Sequence, residues 1–326
     1  MHKHCSLSSV RARRGYGGNR AVVDEQLPIK GLLSGQRLFV EALLRPELRK
    51  LLQTRVAEVT TPARNRVTFN IGYVSGDKTF FHPTHEVVRR YGLTKSALRS
   101  ALTSTRSLEG IGLKTSALHQ ENTDHLFLPT GDILTPEERH YVNWGEETGV
   151  SSRYKCRVRD PWFLVPGIRV PDLVLSVFSE RPVLLINDAG HLASNSLLCG
   201  FTSGPTSAEI VTSWYTSLTL LQCELEVHAL GGGVMVLIPG EAANIRLPRQ
   251  VSVQEEHLDS LDCRLKKGKT TEAYQSGDCI LIEQLGFTQE EVNLIRQGVE
   301  TLAHWRTSSR SSLLAQKHPK RYFHPA

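Results

Sequence analysis

The chain has 326 residues, 40% of them apolar and 22% charged, enough to bury a sizeable core in one or two domains of about 150 residues, which excludes a disordered class. Its 39 Lys and Arg against 33 Asp and Glu leave a net charge of +6, a moderate bias toward anionic partners. Cys5, Cys156, Cys199, Cys223, Cys263 and Cys279 stand too far apart for a disulfide framework or a structural zinc site. No apolar run approaches the roughly 18 residues that span a bilayer, so a reduced, soluble, cytoplasmic protein without a membrane partner is expected.

In chain order, Lys3, Arg11, Arg13, Arg14 and Arg20 precede any acid and lie among glycines, so residues 1–34 read as a flexible basic arm, either a plain disordered start or a grip on nucleic acid. Leu38, Leu43, Leu44, Leu48, Leu51, Leu52 and Val56 recur at helical spacing, and Pro46 divides them between two helices. Val67, Phe69 and Ile71 alternate as in a strand, GYVSGDK turns the chain, and Phe80 and Phe81 read as the next strand. HEVVRRYGL and LTKSALRSALTS read as short helices, the second capped by Thr94. Residues 151–201 read as strands almost throughout, with DLVLSVF, PVLLI and SLLCGF meandering between polar turns. Thr206 or Ser207 caps one long amphipathic helix, which Gly231, Gly232 and Gly233 end before the strand VMVLI. After Pro248 the chain turns helical and more charged, and Thr288 with Glu291 forms a capping box for the last helix.

The segment KCRVRDPWF at 155–163 carries the most chemistry. Read as a strand, it places Arg153, Lys155, Arg157 and Arg159 on one face at spacings of roughly 6.6 to 7 Å, with Tyr154, Cys156 and Val158 turned into a core. Such a row either binds phosphates or is a solvated edge protected by its charge. Trp162 and Phe163 beside it either meet a nucleobase or belong to the core.

Asp160-Pro161-Trp162 imitates the Asn/Asp/Ser-Pro-Pro-aromatic loop of enzymes that methylate the exocyclic amine of adenine, but it lacks the second proline. No glycine-rich turn follows a strand with an acid about 20 positions on, as a methyl-donor pocket requires. No catalytic residue is therefore assigned. His82, His85 and Glu86 are interrupted by Pro83, which prevents a helical metal-binding display, and no metal site is assigned either. Glu224, Glu226 and His228 read as a solvated helix face.

YKCRVRDPWFLVPG, VPDLVLSVFS, INDAGHLASNSLL and SLTLLQCELEVHALGGGVMVLIPGEA, with GYVSGDKTFF upstream, together resemble the C-terminal, target-recognition half of adenine-specific DNA methyltransferases of the restriction-modification type, the Eco57I and TaqI-like group. The resemblance runs over roughly residues 35–249. It implies sequence-specific binding of double-stranded DNA, with S-adenosylmethionine held not here but on a separate catalytic chain. Carried over by position, Gly72, Ser75, Gly76, Lys78 and Phe80 fall on the first recognition motif, and Lys155, Arg157, Arg159, Pro161 and Trp162 on the second. Asn187, Asn195 and the turn Gly231–Gly233 fall on later ones. The DNA-binding candidates are thus Lys78, Arg153, Lys155, Arg157, Arg159, Trp162, Asn187 and Asn195, with Gly72, Gly76, Gly231, Gly232 and Gly233 as structural turns.

The expected fold is α+β, a mixed and mostly β module at 35–249 flanked by helices, followed by a helical segment at 250–326. Two other functions stay open at this point: an adenine methyltransferase completed by a second chain, and reuse of the module for RNA binding or a structural role.

Overall fold

In the computed structural model, residues 9–13, 24–28, 38–118, 123–130, 133–230 and 233–316 are described. Most of the basic arm lies outside the described residues, as do Gly231 and Gly232. The alternation at Val67 and Phe69 produces the strand Val67–Ile71, which edges a four-stranded sheet. Leu197–Thr202, Leu173–Ser176 and Leu184–Ile186 follow in spatial order, every neighbour antiparallel. Successive side chains of a strand face opposite ways. Leu173 and Leu175 accordingly enter the main core, whereas Val174, Leu185, Leu197 and Cys199 line a smaller cluster on the other face. Burial on both faces explains why these strands read as continuous apolar runs.

Helices cover the main-core face. Thr206 and Glu209 cap the helix Ser207–Trp214 reciprocally. The single long helix expected from the sequence is broken at Tyr215, because the Thr216 hydroxyl accepts from the Thr219 amide and starts a second helix, Ser217–Glu226. Asp278 secures that break by accepting from the amide and hydroxyl of Ser217 at 2.8 and 2.7 Å. The last helix, Gln289–Gln316, opens on the expected Thr288–Glu291 box. Its Ile295, Val299 and Leu302 join Leu44, Leu48, Trp214 and Leu221 in the main core. Glu224 is a correction: it is buried rather than solvated, paired with Arg306 of the last helix at 2.9 Å.

A second, aromatic core lies between the sheet's first strand and residue 170. Phe80 is its hub, with ring centroids of Tyr141 at 4.7 Å, Phe81 and Trp162 at 5.0 Å and Phe127 at 5.7 Å. The helix Pro136–Glu147, started by a Thr135–Glu138 capping box, supplies Tyr141 and Trp144. The Tyr141 hydroxyl donates to the Phe80 carbonyl.

Four local expectations are overturned here. Phe80 and Phe81 lie on a helix, Lys78–Phe81, because the Asp77 carboxylate accepts from the Phe80 amide and caps it. Leu98–Leu102 is a strand, held between Asp124–Phe127 and Leu192–Ala193. The Thr94 hydroxyl meets Ser96 rather than a helix amide. Residues 153–163 contain no strand: Tyr154–Arg157 is a four-residue helix followed by turns. The resulting architecture is α+β, with several small sheets and helices over them.

Candidate nucleic-acid interface

The first and second motifs fold against each other. Gly72 ends the edge strand under the carbonyls of Ala193 and Ser194, so close that a Cβ would stand 2.2 Å from each oxygen. Gly76 then takes a positive φ of 98°, where an added Cβ would press on Cys156 Sγ and Lys155 Cβ at 3.0 Å. Glycine is required there on both counts, conformation and space.

Two of the four cations in the basic row hold this junction. Arg153 pairs with Asp77, the capping carboxylate. Arg159 donates to the carbonyls of Ser75 at 2.8 Å and Val74 at 2.6 Å, and it lies over the Phe81 ring. Partial burial lowers the Arg159 pKa, and the two hydrogen bonds it donates offset that cost. Cys156, fully buried beneath them, has its thiol pKa raised by burial, so it packs as an apolar side chain.

Lys155 and Arg157 remain. Both are exposed, and neither meets a carboxylate among the described residues; their cationic ends lie 5.5 and 5.6 Å from the ring of Tyr154. The helical geometry also corrects the expected division of faces: Cys156 alone is inside, while Tyr154 and Val158 are 64% and 63% exposed. Lys78, exposed at the start of the Asp77-capped helix, adds a cation next in chain to the Arg153–Asp77 pair.

The other candidates are placed differently. Trp162 is half-buried against Phe80 and the helix Pro136–Glu147, and its Nε1 donates to Glu146 at 3.0 Å. An added Cβ on Gly145 would stand 2.6 Å from the indole. Trp162 is therefore packed into the aromatic core rather than offered beside the cations. Asn187 is buried, accepting from the His191 amide and the Thr115 hydroxyl and donating to the carbonyls of Pro171 and His191. Its amide is fully engaged in holding a turn. Asn195 has an exposed side chain, and its backbone amide donates to Tyr73. Of the glycine turn, Gly233 alone is described, with a φ of 77° after the hairpin strand His228–Leu230.

What the strand reading missed is the exposure of Tyr154 and Val158. Their i, i+4 spacing was the available signal, because it puts both on one side of a helical turn.

An antiparallel four-stranded sheet lies under helices, and the short cation-bearing helix Tyr154–Arg157 is anchored on the Gly-Tyr-Val-Ser-Gly-Asp loop. The chain belongs to the family described as type II methyltransferase M.Eco57I, C-terminal domain, whose model matches residues 36–282. Its fold is similar to that of the type IIG restriction endonuclease BpuSI, with a TM-score of 0.52 and 10% identity over 89% of this chain and 36% of that one. The type IIL restriction-modification enzyme MmeI, solved in complex with DNA, also matches, with a TM-score of 0.45 and 13% identity over 76% of this chain and 36% of that one. The chain thus spans little more than a third of either enzyme. No curated protein matches it.

Proposed function

We propose that this module binds duplex DNA and selects the target site for an adenine-specific methyltransferase of a restriction-modification system. One observation carries the reading: Lys155 and Arg157 are exposed on a short helix, free of carboxylate partners among the described residues, while Arg153 and Arg159 serve the fold beneath them. Phosphate contacts of that kind set register and supply salt-dependent affinity. Lys78 and Asn195 are the exposed residues we assign to the same face.

We assign S-adenosylmethionine to a catalytic domain outside this module. In support, the four strands of the largest sheet pair antiparallel, and among the described residues parallel pairing is confined to Ala101 and Leu102 with Leu192 and Ala193 and to the isolated bridges Tyr73–Ser194 and Lys114–Ile186. A dinucleotide-like donor site needs a parallel βαβ unit with a glycine-rich first turn. Of Asp160-Pro161-Trp162 only the indole packs against the aromatic core, while Asp160 and Pro161 are exposed.

Fluorescence anisotropy with a labelled mixed-sequence DNA duplex, competed by an RNA duplex of matched length, is the test. DNA is expected to bind and to outcompete RNA. Preference for the RNA duplex, or absence of binding at low salt, would overturn the reading.

A further inference from the structure

Beyond its cations, the exposed helix carries an apolar ridge. Tyr154 and Val158 stand four residues apart, both about two-thirds exposed, and a helical turn brings such positions together on one side. The ring of Tyr154 is flanked by the ammonium of Lys155 and the guanidinium of Arg157. A large aromatic left in water, when the adjacent Cys156 is wholly buried, is not a packing residue of this fold.

We infer that Tyr154 is a nucleobase contact: its ring meets the face of a base at an unstacked step of the bound duplex, with Val158 beside it and Lys155 and Arg157 on the flanking phosphates. The inference rests on the DNA-binding reading above.

The chemistry suits this assignment in three respects. Every base offers a π-face, and an aromatic ring beside cations gains from stacking and from charge together. Apolar side chains pressed against a base step open it at a cost that neighbouring phosphate contacts offset. The contact also needs a platform that does not yield when the ring is pushed against a duplex. Here the platform is the Gly76–Cys156 contact, the Arg153–Asp77 pair and the two bonds from Arg159 to the 74–75 backbone. The amides of Cys156 and Arg157 both donate to the Arg153 carbonyl at 2.9 Å, which fixes the helical turn itself. Preorganisation of this sort removes an ordering cost from binding.

The test compares wild type, Tyr154→Ala and Tyr154→Phe on two labelled duplexes, one fully paired and one carrying a single unpaired base, each titrated over a series of salt concentrations. The wild type is expected to prefer the duplex with the unpaired base, whose face is already open. Tyr154→Ala is expected to lose that preference and to weaken binding by between about 5-fold and about 150-fold, with the salt dependence unchanged because no phosphate contact is lost. Tyr154→Phe keeps the ring and is expected to match the wild type. The residue is exposed, so both variants should keep the wild-type unfolding midpoint. If Tyr154→Ala binds both duplexes like the wild type while charge removal at Lys155 and Arg157 still flattens the salt dependence, the base contact is refuted and the DNA-binding reading survives. If no duplex binds at all, both fall.

Discussion

Replacement of Trp162 by alanine separates a packing role from a DNA contact at the residue that most resembles a catalytic aromatic. Trp162 packs on Phe80 with the rings tilted at 44° and their centroids 5.0 Å apart, lies close to the backbone at Gly145 and donates one hydrogen bond to Glu146. Truncating a fully buried Trp costs about 3 to 5 kcal/mol. Trp162 is half-buried, so about half of that cost, roughly 2 kcal/mol, applies, and the solvent-facing bond to Glu146 adds less than about 1 kcal/mol. A loss of about 2 to 3 kcal/mol should lower the unfolding midpoint by roughly 3 to 5 °C for a chain of this size. The assay is thermal unfolding by circular dichroism, with DNA affinity measured on the same sample well below the midpoint. An unchanged midpoint with weakened affinity would refute the packing argument and return the indole to the DNA surface.

Three further outcomes are expected. Arg159→Gln removes two hydrogen bonds to the 74–75 carbonyls and should destabilise the protein by about 1 to 3 kcal/mol in chemical denaturation; a fully stable variant would contradict its role as a clamp. Arg306→Ala leaves Glu224 buried without its guanidinium and should cost about 3 to 5 kcal/mol, whereas an effect below about 1 kcal/mol would deny the last helix its anchor. Burial lowers the pKa of His82, His125 and His191. Their folded forms therefore take up protons less readily than the unfolded chain, and stability should be lost as pH falls below about 6.5 toward the depressed values. His82→Gln should make the midpoint less sensitive to pH in that window, and an equal sensitivity would remove His82 from the explanation.

The parts legible in the sequence were those where local chemistry and tertiary packing agree. Val67–Ile71 and the inner strands announce themselves by alternation and by continuous apolar runs, and Thr206 and Thr288 cap helices as their Glu partners three residues later require. Misreadings occurred where two signals compete. At Phe80 and Phe81 the aromatic preference for strands loses to the Asp77 cap and to the cluster around Tyr141. At 153–159 alternating charge imitates the strand period, yet the Cys156 and Arg157 amides find their acceptor locally at Arg153, and the chain coils. That single change of geometry reassigns Arg153 and Arg159 to the fold, turns Tyr154 and Val158 outward, and leaves Lys155 and Arg157 as the cations offered to a partner. Which cations are free depends on Asp77 and on the carbonyls of residues 74 and 75, about 80 positions upstream, and no local pattern encodes that.

The most direct measurement is the dependence of DNA affinity on salt for the wild type, for the double variant Lys155→Gln/Arg157→Gln and for Arg159→Gln as the internal control. Each phosphate contact contributes about 0.9 to the slope of log K against log salt on duplex DNA. The double variant is expected to flatten the slope by about 1.8, with Arg159→Gln leaving it unchanged. A double variant with the wild-type slope would contradict the assignment of this surface to DNA.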